Sequence, residues 1–85
     1  MEVQVGKITH FYNHINVAVL DLTGELKVGD IIHILGHITD FEQRVASLEI
    51  EHKKVQSVSA GMDVALQVEE LVRNGDCIFK VVEDK

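Results

Sequence analysis

Short runs in which apolar and polar residues alternate follow one another along most of this chain. In the segment 15–22, alternate residues from Ala18 to Leu22 share one face, and Val17 and Val19 share the other. The run from Val64 to Val68 alternates in the same way. Successive side chains of a strand point to opposite faces, so this pattern predicts half-buried β-strands.

About six strands are predicted in this way. The first covers 3–11, where Gly6 interrupts the alternation and indicates a bulge, and a hairpin turn at 12–14 follows it. The others are placed at 15–22, at 31–35, within 42–55, at 64–68 and at 77–81. The segment 42–55 also has a helix-favouring composition, but a strand is preferred because neighbouring strands need partners. The segment 36–41 is predicted to be a loop.

Turns that contain glycine and aspartate precede three of the apolar runs. The most informative is the segment 24–34, where Gly24 and Gly29 are expected to adopt positive φ and Asp30 to bond turn amides. Similar turns at 60–63 and 73–76 carry Asp63 and Asp76. Turn formation explains these aspartates without catalysis. The repeated turns predict an all-β, six-stranded antiparallel closed barrel, an architecture that removes exposed sheet edges.

The composition supports a small folded unit without enzymatic chemistry. With 85 residues, of which 46% are hydrophobic, the chain is expected to form one domain over 1–85 with little room for a catalytic cavity. It contains no phosphate-binding loop, nucleophile elbow or paired-cysteine metal motif. We therefore expect no enzyme activity and no cofactor.

The charge balance limits the class of partner. Eight Lys and Arg oppose fourteen Asp and Glu, for a net charge of −6, and the one basic doublet is at 53–54. DNA binding and nonspecific RNA binding require a basic face and are not expected, whereas contact with one RNA end or with a protein stays open. The sequence also lacks a long apolar run and a signal-peptide pattern, and Cys77 is its lone cysteine. These features favour a cytoplasmic protein without a membrane partner.

Five histidines raise the question of a metal site. His10 and His14 flank the first predicted hairpin turn and could approach each other, but no third ligand is evident nearby. Scattered surface histidines are the preferred interpretation, so no metal site is predicted. Phe11 with Tyr12, and Phe41, could stack on bases, although filling the core or plugging the barrel is the preferred role for so few aromatic residues.

Several motifs resemble those of a known family. The segments 24–30, 32–36 and 60–65 are similar to the second domain of translational GTPases such as elongation factor Tu, a six-stranded antiparallel barrel. The segments 5–8, 39–41, 45–52 and 72–76 resemble a narrower group. It contains free-standing translation elongation factor-like proteins and the C-terminal barrel of collagenase-like peptidases. The resemblance covers nearly the whole chain and implies a translation-protein barrel with Greek-key-like connections.

The resemblance also implies a contact surface. In elongation factor Tu the barrel helps to hold the aminoacylated 3′ end of tRNA, and the matching register places an acidic contact on Glu49. The same register places His52 where that family has an arginine, and histidine lacks the permanent bidentate grip on phosphate. No GTPase domain is present in the sequence, so GTP binding by this chain alone is not expected.

The sequence thus favours a non-enzymatic, translation elongation factor-like adaptor that binds an RNA 3′ end or a protein partner. The alternative is a structural or assembly module that docks onto a peptidase-like or RNA-modifying enzyme. The residues expected to contact the partner are Glu49, His52, Lys53, His37, Thr39, Asp40 and Phe41.

Overall fold

The computed structural model describes residues 1–82 of the 85-residue chain, and every regular element in that range is a β-strand. The predicted all-β class is therefore confirmed. Accordingly, this part of the chain has no helix that could cross a membrane. The strands are β1 (Glu2–Tyr12), β2 (Val17–Leu22), β3 (Leu26–Lys27), β4 (Ile31–Leu35), β5 (Asp40–Arg44), β6 (Leu48–Ile50), β7 (Lys53–Val55), β8 (Ser57–Val58), β9 (Asp63–Gln67) and β10 (Cys77–Val81).

Eight of these strands form one sheet, in the order β5-β4-β10-β1-β2-β9-β6-β7, and β3 and β8 form a separate pair. All of the pairings are antiparallel. The last strand, β10, lies between β4 and β1, and β9 pairs with β2. Strands that are distant in sequence are therefore neighbours at the centre of the sheet. The predicted bulge is present, since the register of β1 against β10 shifts between Gln4 and Gly6.

The prediction of six strands closed into a barrel is not confirmed. Among residues 1–82, the order of the main sheet ends at β5 and at β7, and no ladder joins these two strands. The segment predicted as one strand within 42–55 is divided because the backbone of Val45 leaves the ladder. Its N–H donates to Asp30 O at 2.8 Å, and its carbonyl accepts from Gly29 N–H at 2.9 Å.

The open sheet nevertheless curls, since β5 and the end of β9 are bridged directly by the side chain of Gln43 although four strands separate them in the sheet order. Its amide nitrogen donates to Gln67 O at 2.9 Å, and its amide oxygen accepts from Glu69 N–H at 2.9 Å. Gln43 is buried, so these bonds satisfy a polar side chain that would otherwise be costly to enclose. The core lies on the inner side of the curl.

The core is one cluster of buried aliphatic side chains. The run from Ala18 to Leu22 contributes its even-numbered residues, and β9 with the residue after it contributes Val64, Leu66 and Val68. Both faces agree with the alternation in the sequence. Each fully buried aliphatic side chain stabilises the fold by about 1.5–3 kcal/mol relative to exposure. Because aliphatic side chains fill the interior, a partner would bind to the outer face of the sheet.

The glycine turns divide into two kinds. Gly29, Gly61 and Gly75 have φ angles of 99°, 88° and 92°, the left-handed region that glycine enters without steric cost. The expectation of positive φ at Gly24 is wrong, since Gly24 is not among the positive-φ residues. There the constraint is close packing instead, because a Cβ atom would lie 3.2 Å from a methyl carbon of Val5.

Asp30 and Asp76 serve their turns as the sequence predicts. An Asp30 oxygen accepts the N–H of Lys27 at 3.0 Å, and an Asp76 oxygen accepts the N–H of Arg73 at 2.8 Å. Each carboxylate thus bonds the amide three residues earlier, closing the turn before a strand begins. Asp30 also lies 3.6 Å from the ammonium of Lys80.

Candidate functional site

A groove of about 530 Å³ lies on the outer surface of the sheet, between the first hairpin and the turn that joins β6 to β7. Its floor follows directly from strand register. Val19 on β2 is opposite Ala65 on β9, and Ala65 is opposite Glu49 on β6. These half-buried residues form one row across three strands, with an apolar end and an acidic end.

The hairpin side of the groove is apolar and open to solvent. Tyr12 and Ile15 line it and are 50% and 60% exposed. The Tyr12 ring is also tilted against the His10 ring, with centroids 4.2 Å apart. Large apolar side chains that remain exposed beside an apolar floor are typical of surfaces that bind another molecule.

The opposite side of the groove is a turn with unusual backbone geometry. Glu51 and His52 have φ angles of 50° and 67°, and Asn16 at the end of the hairpin has a φ of 55°. Each of these residues therefore occupies the left-handed region, which is uncommon outside glycine and can cost about 1–3 kcal/mol per residue. Within residues 1–82, all non-glycine residues with positive φ flank this groove. The tight turn places Glu51 and His52 at the edge of the groove.

The groove has an acidic lining. Glu49, Glu51 and Asp63 contribute carboxylates, and His52 is the basic residue that can carry charge there. Asp63 also stands directly opposite Asp21 in the pairing of β2 with β9. Like charges opposite each other in a sheet are destabilising, so a cation brought to this edge would relieve their repulsion.

The predicted contact residues divide between several places. Glu49 and His52 line the groove, and Lys53 lies just beyond it, exposed at the start of β7. The remaining predicted residues, from the segment 37–41, do not line the groove. The structure therefore brings two members of the predicted set together in one surface.

The segment 37–41 has other contacts. His37 is exposed, whereas Thr39 is buried and its carbonyl accepts Gly36 N–H at 2.7 Å. Phe41 packs against the core, in agreement with core filling rather than base stacking. The segment was predicted to be a loop, but its last two residues, Asp40 and Phe41, begin β5.

Asp40 belongs to a second cluster, centred on His33 of β4. The Nε2 atom of His33 lies 2.5 Å from an Asp40 oxygen, and its Nδ1 atom lies 2.9 and 3.1 Å from the two Glu2 oxygens. Hydrogen bonds to Asp40 and then to Glu2 raise the pKa of His33 above its ordinary value, although partial burial opposes them. Glu42 stands opposite His33 in the β4–β5 pairing.

Glu2, His33 and Glu42 are the described residues that could hold a metal ion, because their donor atoms lie within 4.8 Å of one another. The histidines that the sequence suggested were His10 and His14 instead. Glu2 could not be recognised from the sequence, because the pairings of β10 with β1 and β4, which bring Glu2 close to His33, are not visible in the linear chain. For Glu42 a local signal existed, since a short β4–β5 hairpin would place it near His33.

Comparison with curated proteins finds two protease-like relatives. The chain is 35% identical over 83 residues to an uncharacterized protease of Methanocaldococcus jannaschii. This match covers 96% of the present chain and 20% of that protein. It is 31% identical over 78 residues to a collagenase of Porphyromonas gingivalis, covering 89% of this chain and 22% of that protein. The chain therefore spans about a fifth of the length of the curated relatives that it matches. No family model matches the chain.

Solved structures provide the comparison for the fold. The C-terminal domain of a putative U32 peptidase from Geobacillus thermoleovorans has a TM-score of 0.83 at 14% identity, over 92% of this chain and 91% of that chain. Its selenomethionine variant has a TM-score of 0.82 at 13% identity, over 89% of this chain and 96% of that chain. The relatives in both comparisons are protease-like and give no support to a role in translation. The chain thus has the fold of a U32 peptidase C-terminal domain and resembles in sequence a segment of larger protease-like proteins.

Proposed function

We propose that this chain is an assembly module that docks onto a peptidase-like protein through the groove between the first hairpin and the β6–β7 turn. The observation that carries the proposal is the sequence similarity to about a fifth of two larger protease-like proteins. In such a protein, a segment of this size would provide a surface that contacts the remainder of the chain. The same surface would serve a separate partner.

The shape and polarity of the groove support docking. The exposed side chains of Tyr12 and Ile15 stand beside the half-buried apolar floor at Val19 and Ala65. Burying apolar surface stabilises a complex by about 25 cal/mol per Å² before the cost of association is subtracted. Aromatic residues at the centre of such a surface often contribute much of the binding energy.

The charge of the groove favours a protein over RNA. Glu49, Glu51 and Asp63 would repel phosphate groups, and His52 provides no permanent positive charge to offset them. A complementary partner presents a lysine or arginine next to apolar side chains. The cation would lie near Asp63 and Asp21, whose repulsion across β2 and β9 it would reduce.

Affinity purification from native lysate tests this function, with protein and RNA in the bound fraction both identified. The expected result is stoichiometric recovery of a peptidase-like protein and no enrichment of RNA. The matched variant is Ile15→Asp, which changes a 60% exposed residue of the turn and is expected to fold normally. It adds charge to an acidic groove and is expected to abolish recovery of the partner.

A second variant, Leu71→Asp, serves as the control. Leu71 is 74% exposed and does not line the groove, so its replacement should leave recovery unchanged. Recovery of tRNA in place of a protein would favour the adaptor hypothesis instead. Equal recovery of the peptidase-like partner by the wild-type chain and Ile15→Asp would retain the assembly role but reject this groove as its surface.

A further inference from the structure

The cluster around His33 has more negative charge than its hydrogen bonds can neutralise. Carboxylate oxygens lie against both ring nitrogens, from Glu2 at Nδ1 and from Asp40 at Nε2. A neutral imidazole carries one N–H and can donate to one of them, whereas an imidazolium can donate to both. Glu42 adds a third carboxylate. Even with His33 protonated, the cluster has two negative charges in excess.

Within the part of the chain that the structure describes, no lysine or arginine forms an ion pair with this cluster. Among residues 1–82, the ion pairs of Glu2 and Asp40 are with His33 alone, and the one lysine pair joins Lys80 to Asp30 instead. A chain with a net charge of −6 offers little long-range compensation. A small cation with a charge of +2 that replaces the Nδ1 proton would reduce the local excess from two charges to one.

We propose that Glu2, His33 and Glu42 form a binding site for a divalent first-row transition metal ion, with Zn²⁺ as its reference ligand. Their donor atoms already lie within 4.8 Å of one another. Zinc bonds to imidazole nitrogen and carboxylate oxygen are about 2.0–2.2 Å long, so the donors must close to a separation of about 3–3.5 Å. Both glutamates are exposed, and their side chains can rotate over that distance without disturbing the core.

The donor set determines the class of ion. One imidazole nitrogen with two carboxylates suits zinc and its neighbours, whereas Ca²⁺ and Mg²⁺ prefer sites built from oxygen alone. Three protein ligands leave a coordination position open to water or to a donor from another molecule. Because the ligands come from β1, β4 and β5, the ion would link the first strand to the edge of the sheet.

Asp40 has a different role as a positioning residue. When Nδ1 binds the ion, Nε2 carries the remaining proton and donates it in a hydrogen bond to Asp40. This bond selects the tautomer whose Nδ1 lone pair points towards Glu2 and fixes the plane of the ring. Asp40 thus acts on affinity through His33 without contacting the metal.

The test is titration of the tag-free, chelator-treated chain with Zn²⁺ by isothermal calorimetry, in parallel with Mg²⁺ and Ca²⁺. The expected result is one Zn²⁺ per chain and no comparable heat from the other two ions. Glu42→Gln should weaken Zn²⁺ binding by more than about 100-fold, and Asp40→Asn by about 10- to 100-fold. Folding of each variant is checked by its amide NMR spectrum.

Co²⁺ provides the spectroscopic readout. Its visible absorption bands report the coordination shell, so Asp40→Asn should retain the wild-type band shape at higher Co²⁺ concentration, whereas Glu42→Gln should change it. The control is a His10→Gln, His14→Gln double variant, which leaves the cluster intact and should bind Zn²⁺ like the wild type. Absence of stoichiometric Zn²⁺ binding would overturn the proposal, as would binding that survives Glu42→Gln or that the control abolishes.

Discussion

Replacing Gly36 with alanine should destabilise the fold through one contact that can be isolated by experiment. A Cβ atom at Gly36 would overlap the carboxylate of Asp76, with the Oδ1 atom as its nearest neighbour. Asp76 is 4% exposed, and its other oxygen accepts the N–H of Arg73 at 2.8 Å. The carboxylate therefore cannot rotate away without losing a charge-assisted hydrogen bond.

The backbones on both sides are also held in place. Gly36 N–H donates to Thr39 O at 2.7 Å, and Asp76 O accepts from Ile8 N–H at 2.8 Å. Overpacking at a fixed site costs about 1–3 kcal/mol, and loss of a hydrogen bond to a charged group costs about 1.5–3 kcal/mol. We expect Gly36→Ala to lower the free energy of unfolding by about 2–3 kcal/mol.

This loss is large for so short a chain. A protein of 85 residues has a total stability of about 4–13 kcal/mol. At about 4–8 °C per kcal/mol, the loss corresponds to a decrease in Tm of about 8–24 °C. Thermal and urea unfolding followed by circular dichroism would measure both quantities.

A double-mutant cycle identifies the cause. In an Asp76→Ala background the obstructing carboxylate is absent and only the Cβ atom of residue 76 remains, 3.3 Å from the new Cβ, so Gly36→Ala should cost less than about 1 kcal/mol. The matched control is Gly61→Ala, which has no atom within 4 Å of its new Cβ and is strained by its φ of 88° alone. Its cost should be the same in both backgrounds. Equal costs for Gly36→Ala with and without Asp76 would refute the steric explanation.

Three further predictions concern the curl, the core and the His33 cluster. Gln43→Ala should lower the free energy of unfolding in urea by about 2–3 kcal/mol, because two buried hydrogen bonds are lost. The control Gln67→Ala keeps the main-chain carbonyl that accepts from Gln43, so it should change stability by less than about 0.5 kcal/mol. Leu20→Ala should cost about 2–5 kcal/mol in the same assay, because Leu20 is completely buried. In metal-free buffer, the raised pKa of His33 implies stabilisation that is complete below pH 6.5 and is lost as the pH rises through the folded-state pKa. His33→Asn should remove this pH dependence. The prediction would be contradicted if NMR titration of the His33 ring in the wild-type chain finds no raised pKa.

The candidate groove shows how far the sequence could predict a site. Glu49 and His52 were identified through a resemblance and do line it. Ile15 was interpreted only as part of a strand. Tyr12 was assigned to a hairpin turn and considered for base stacking, with core filling preferred, whereas it is 50% exposed and lines the groove. A turn residue and a residue of the β6–β7 connection become neighbours because β9 lies between β2 and β6. No local pattern encodes that order.

The sequence by itself determined the properties that depend on neighbouring residues. Alternation in 15–22 and 64–68 specified strands and their buried faces, because side chains reverse direction at every residue of an extended chain. The turns at Gly29 and Gly75 followed from steric limits on a single residue's φ. These constraints act within a few residues and can be recognised without knowledge of the fold.

Only the tertiary structure decided which strands are neighbours and whether the sheet closes. The division of 42–55 into separate strands depends on Val45 bonding to a turn that lies fifteen residues earlier. The cluster of Glu2, His33 and Glu42 requires β10, from the far end of the described chain, to lie between β1 and β4. Such pairings depend on the packing of the whole core, in which many residues contribute small energies together, so no single segment specifies them.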